Sequence, residues 1–211
     1  MTRSARGALA LPVVLYVLTG LSVAMGAVRT VEVPMGIIPE DSIHLASTPL
    51  SIWVHAASAT LFGLIGPWQF SRVLRRKFGR AHKLAGRIFA VAGLLMGASG
   101  LHLVMAHDTA APLVDNARAA FSVGLVAALA LAVQAIRMGR RDAHRDWMIR
   151  AYALGMGTAP VGLIFIPIYV ATGVPPVGAS ADVIFIGSWV ASLLVAEWVI
   201  RRLHQPLGVP A

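Results

Sequence analysis

The chain has 211 residues, 57% apolar and only 13% charged, with eighteen Lys and Arg against nine Asp and Glu. Soluble domains run at roughly 45–50% apolar and about 25% charged, so this chain carries too little charge to cover a water-exposed surface. An ordinary soluble domain and a disordered chain are excluded, and the absence of cysteine excludes disulfides, thiolate-bound zinc, iron–sulfur clusters and thiol nucleophiles.

A bilayer-spanning helix takes roughly 20 residues. Apolar runs of that length fall at about 8–28, 50–70, 84–106, 116–137, 147–170 and 182–200. They predict an all-α polytopic membrane protein, with six transmembrane helices in one domain covering 1–211. The first run follows Arg3 and Arg6 and precedes the small residues Ala24, Gly26 and Ala27, as in a signal peptide. A signal h-region is only about 7–15 residues long, so the run is read as a retained helix. In the third run Gly93 and Gly97 make a small-xxx-small pair that lets helices approach closely. In the fifth, Pro160 behind Gly155 and Gly157 predicts a kink, and a kink can shape a cavity.

The loops orient this bundle. Of the cations, all but Arg29 and Arg118 fall on one side: Arg3 and Arg6, the stretch from Arg72 to Arg87, the stretch from Arg137 to Arg150, and Arg201 and Arg202. The other side carries Glu32, Glu40, Asp41, Asp108, Asp115 and Asp182. The positive-inside rule puts the basic side in the cytoplasm, with both termini inside. The net charge of +9 is thereby accounted for by topology, and no nucleic-acid partner is expected. Only Lys77 and Lys83 are lysines, which reads as the coding bias of a GC-rich bacterium. A bacterial inner-membrane location is the expectation.

The two basic connections are alike. One reads Ala81-His82-Lys83, then Arg87, then Phe89-Ala90; the other reads Ala143-His144-Arg145, then Arg150, then Tyr152-Ala153. Hairpins 50–106 and 116–170 would then be copies in the same orientation, related by an axis along the membrane normal. Gly66-Pro67-Trp68-Gln69-Phe70, Gly86-Arg87-Ile88-Phe89 and His144-Arg145-Asp146-Trp147-Met148-Ile149-Arg150 carry a family resemblance. Over about residues 50–165 the chain resembles the bacterial membrane-protein family known as domain of unknown function 2306. The resemblance implies a multi-pass membrane protein and extends to His55. Where the family pattern has a further Arg late in helix five, this chain reads Thr158-Ala159-Pro160-Val161-Gly162.

Seven histidines are many for so apolar a chain. His44 with Asp41, and His107 with Asp108, are read as solvated loop residues, and no metal site is expected. His55 and His102 lie within neighbouring spans, both some 6–8 Å below one membrane edge at about 1.5 Å per residue. Two imidazoles at one depth on adjacent apolar helices meet the requirement of a single b-type haem, the lead expectation, with another site role or hydrogen-bonded helix glue as the alternatives. A second haem on helix three is disfavoured. His82 and His102 are twenty residues apart, which at about 100° per residue turns them to roughly opposite faces.

At the basic boundary His82, Arg87, His144, Arg150, Tyr152 and Glu197 form a second candidate site for an anion, a lipid phosphate or a proton. Glu197 is expected to pair with Arg150 or Arg87. Three activities therefore stay open: electron transfer through haem with a quinone partner, a carrier or lipid/anion-binding protein, and a structural subunit. Ser58, Ser99 and Ser122 have no His–acid pair at fitting spacing, and no P-loop, GxGxxG or HExxH occurs.

Overall fold

The computed structural model describes residues 3–38, 40–107 and 112–205. Among these residues the chain is wholly helical. Helix α1 spans Arg3–Glu32, α2 Pro49–Gln69, α3 Arg72–Lys77, α4 Gly79–Met105, α5 Pro112–Arg137, α6 Arg141–Gly155, α7 Val161–Thr172 and α8 Ala179–His204. Short 3-10 turns at Val33–Met35 and Glu40–Leu45 join α1 to α2. The Asp108 partner considered for His107 and the Asp41 side chain considered for His44 lie outside what is described.

Helices α1, α2, α4, α5 and α8 are each long and apolar enough to cross a membrane. No more than about a third of the apolar window in any of them is buried inside the protein. Val17, Leu61, Val91, Val123 and Leu194 all face outward. Such a surface has no place in water and calls for a lipid bilayer around it.

The fifth expected span, 147–170, is not one helix. It begins earlier, at Arg141, stops at Gly155 and resumes at Val161 as the twelve-residue α7. The early start reflects what hydropathy measures, which is the apolar part of a helix and not its polar first turn. There Asp142 sits near the unpaired N–H groups of α6, and Arg145 Nη1 reaches its Oδ1 at 3.2 Å. The break reflects Pro160, which has no N–H and restricts Ala159, together with the weak helix formers Gly155 and Gly157. The other helices likewise run past their apolar stretches, α1 to Glu32 and α8 to His204.

Sequential helices pack as antiparallel neighbours, α1 on α2, α2 on α4, α4 on α5 and α5 on α6, and α8 packs back on α6. Helix α2 starts with Pro49 in its first turn, where a missing N–H costs nothing. Helix α5 ends at Arg137, and two residues on Gly139 takes a φ of 74°, the left-handed conformation open to glycine; Arg140 N then bonds Ala135 O at 2.9 Å.

Phe62, Phe89 and Leu129 are fully buried at the centre. The Phe62 and Phe89 rings stack with centroids 4.0 Å apart, and Tyr152 lies 5.9 Å from Phe62. Two glycines hold Phe62. A Cβ on Gly93 would lie 2.7 Å from Phe62 Cε2, and one on Gly155 would lie 2.6 Å from Phe62 Cε1. Counting from Gly79 and Arg141, His82 and His144 are both the fourth residue of their helices, and Gly93 and Gly155 both the fifteenth. Beyond that point the hairpins diverge, since α4 continues to Met105 while α6 breaks.

Candidate functional site

Breaking a helix inside an apolar bundle frees backbone groups, and each costs free energy unless it finds a new partner. Here other helices supply the partners. Trp189 Nε1 of α8 donates to Leu154 O at 3.0 Å, and Ser192 Oγ donates to Gly157 O at 3.4 Å. From α1, Ser22 Oγ donates to Ala159 O at 3.1 Å. Within the break, Ala159 N bonds Met156 O and Val161 N bonds Thr158 O, both at 3.0 Å. The interruption is therefore a built feature, braced from both sides. Phe121 of α5 stacks on the Trp189 indole at 4.5 Å and fixes its orientation.

Beside the break lies a cavity of about 370 Å³. Met25 of α1, Met96 of α4, Leu125 of α5, Met156 in the break and Trp189 of α8 are among the residues of its apolar wall. Polar groups are few: Ser22, Arg29, Ser42, His55, Ser122 and Thr158. Ser22 is committed to Ala159, and Arg29 pairs with Glu32 at 3.4 Å. The Ser122 and Thr158 hydroxyls have no protein partner among the described residues. Arg29, Ser42 and Leu45 place one end of the cavity at the α1–α2 connection, the end of the bundle away from the basic loops.

His55 stands in the wall of this cavity. Its Nδ1 lies 3.1 Å from the Met96 carbonyl, which can only accept, so Nδ1 carries the proton and Nε2 keeps the lone pair. Gly100 leaves room for the ring, because a Cβ there would sit 3.2 Å from His55 Cε1. His102 is exposed, and its Nδ1 pairs with Ser51 Oγ at 3.0 Å. Ser51 precedes His55 by about one helical turn. The two imidazoles are thus engaged separately, each bonding across the α2–α4 seam. Among the described residues no group of three or more His, Asp or Glu side chains gathers as a cation site.

None of the six residues considered at the basic boundary lines the cavity beside the break, and two of them pair with each other. Arg150 takes Glu197: Nε donates to Oε1 at 2.5 Å and Nη2 to Oε2 at 2.9 Å, a bidentate pair that ties α6 to α8. The Arg150 guanidinium also lies 4.7 Å over the Trp147 ring. His144 Nδ1 bonds Ala132 O of α5 at 2.8 Å. Tyr152 is buried among Phe62, Phe70 and Phe89, and among the described residues no group lies within hydrogen-bond geometry of its hydroxyl. Arg87 points outward, and His82 is half-buried. A smaller latch closes the same end of the bundle, where Asp146 Oδ2 lies 2.6 Å from His204 Nε2 and Oδ1 accepts from Arg145 at 3.2 Å.

The sequence pointed to a kink at this place through Gly155, Gly157 and Pro160, and to His55 through its depth. It did not point to Trp189, Ser192 or Ser22 as braces, nor to Ser122 as a cavity group. A serine or tryptophan in an apolar span looks the same whether or not it faces a freed carbonyl. Neither the comparison with curated proteins nor that with solved structures gives a match. The family model described as "Predicted membrane protein (DUF2306)" matches residues 52–200, from α2 into α8, and the chain belongs to that family of membrane proteins.

Proposed function

We propose that this is a bacterial inner-membrane protein with six spans, α6 and α7 together forming the fifth, and both termini in the cytoplasm. Its working site is the cavity at the helix break. It binds an uncharged amphiphile, a molecule with an apolar body and one hydroxyl or carbonyl end, and acts as a binding protein or carrier for it. One observation carries this reading: the broken helix lines a cavity of about 370 Å³, within the range of roughly 300–1,000 Å³ typical of ligand sites. Discontinuous helices in membrane proteins place irregular backbone where it faces a cavity. Met25, Met96 and Met156 give the wall flexible, polarizable surface that adapts to an apolar body. Ser122, Thr158 and His55 Nε2 offer two donors and an acceptor for the polar end. A quinone is one molecule of this class.

The test is extraction of the detergent-purified chain followed by mass spectrometry of the extract. A near-stoichiometric apolar molecule is expected from the unaltered protein, and at least about tenfold less from Ala59→Phe, whose ring fills the cavity. Equal recovery from both overturns the reading.

A second reading places one b-type haem at His55. The bond from Nδ1 to the Met96 carbonyl favours it, since ligand histidines are oriented by such bonds and keep Nε2 for the metal. His102 would have to leave Ser51 to serve as the opposite ligand. Oxidised and dithionite-reduced absorption spectra decide it: sharp reduced bands lost in His55→Ala establish the haem, and a colourless folded protein removes it.

A further inference from the structure

A second concavity lies on the outer surface of the bundle, in the half away from the first. It is a groove of about 470 Å³ between α4 and α5, floored by Leu94, Leu129, Ala130 and Val133 and ending at Gln134 and Arg137. Helix α4 leads away from the basic end and α5 returns to it. Leu94 follows Arg87 by seven residues, which is about two turns, so the two share a face of α4. Arg137 follows Ala130 by the same seven residues on α5. Leu94 and Ala130 form a facing pair in the sense that both line the groove, one from each helix, so the helix registers carry Arg87 and Arg137 toward its basic end. Both lie about 10 Å further along the bundle axis than that facing pair, at about 1.5 Å per residue.

Both side chains are exposed, and neither has an ion pair or hydrogen bond among the described residues. Two other cations of this end are paired instead. Arg150 is neutralised by Glu197 and Arg145 by Asp142 and Asp146. Two unpaired guanidinium groups at the end of an apolar channel form a receptor for a planar or tetrahedral oxyanion attached to a hydrocarbon chain. Gln134 adds an amide donor between them and the channel.

We propose that this groove binds one anionic phospholipid from the basic-side leaflet. One acyl chain lies along Leu94, Leu129, Ala130 and Val133, and the phosphate is shared by Arg87 and Arg137. The exposed Arg75, Arg76 and Lys77 of α3 supply a diffuse attraction to the same leaflet, and the groove adds the contact that holds a single molecule. A zwitterionic lipid presents a phosphate partly masked by its own ammonium and is held less well. This site is independent of the proposed cavity ligand, because none of its residues lines that cavity.

The test is native mass spectrometry of the full chain in detergent with equimolar dioleoyl phosphatidylglycerol and dioleoyl phosphatidylcholine. At least about fivefold preference for phosphatidylglycerol as a single adduct is expected. The preference should vanish in Arg87→Gln/Arg137→Gln, and the adduct should fall severalfold in Ala130→Trp, where both cations remain and the groove is filled from an exposed position. The control Arg76→Gln/Lys77→Gln should keep both. The proposal is overturned by a preference that survives Arg87→Gln/Arg137→Gln. It is equally overturned by an adduct untouched in Ala130→Trp, or by equal loss in the α3 control, which would mean diffuse attraction alone.

Discussion

Trp189 Nε1 donates to the Leu154 carbonyl at 3.0 Å, joining α8 to the last turn of α6 just before the helix breaks. The bond satisfies an acceptor that a continuous helix would satisfy within itself, and it does so from a residue stacked on Phe121. The freed backbone is stabilised by tertiary structure, and the cavity wall depends on that bracing.

Trp189→Phe keeps a ring for Phe121 to stack on and removes the donor. The Leu154 carbonyl is then left without its partner, at a cost of about 1–3 kcal/mol. Ser192→Ala removes a longer bond of 3.4 Å and should cost less. Thermal unfolding in detergent is expected to rank the melting temperatures as unaltered protein, then Ser192→Ala, then Trp189→Phe.

The Arg150–Glu197 pair gives a different pattern. Glu197→Leu leaves a cation without its counter-charge beside an apolar span, whereas Arg150→Met/Glu197→Leu removes both charges. The double variant is expected to be more stable than Glu197→Leu alone. A double-mutant cycle on unfolding free energies should give a coupling of about 1–3 kcal/mol. A coupling near zero would mean that the pair contributes nothing to holding α6 on α8.

Gly155 and Phe62 make a tight contact that tolerates no side chain at residue 155. In Gly155→Ala the new methyl lies 2.6 Å from Phe62 Cε1 and 2.7 Å from Met96 Cε, and the stacked, buried ring has little room to yield. A loss of about 1–3 kcal/mol is expected from overpacking. Adding Phe62→Leu should recover part of it, read again by thermal unfolding.

Topology is open to direct labelling because the chain contains no cysteine. Arg76→Cys lies on the basic side and Met105→Cys at the far end of α4, both exposed. In intact bacterial cells a membrane-impermeant maleimide should label Met105→Cys and spare Arg76→Cys until the membrane is permeabilised. The reverse pattern would invert the proposed orientation.

Composition determined the class of this protein and roughly where its five helices long and apolar enough to cross a membrane fall, because both follow from a local sum, the apolar residues per twenty positions. A weak point near residues 156–160 was legible for the same reason, since Gly155, Gly157 and Pro160 weaken a helix wherever they stand; that it breaks the helix and does not merely kink it was not. Tertiary structure alone decided what each polar side chain meets. Glu197 took Arg150 and left Arg87 facing outward. His55 and His102 bonded across the α2–α4 seam to Met96 and Ser51, and Trp189, Ser192 and Ser22 turned to the freed carbonyls. The physical reason lies in the spans themselves. A soluble helix shows its inward face by an apolar stripe, but these spans are apolar on nearly all sides, so the rotation of each about its axis is left to packing. At about 100° per residue that rotation determines which side chain enters a cavity and which faces lipid.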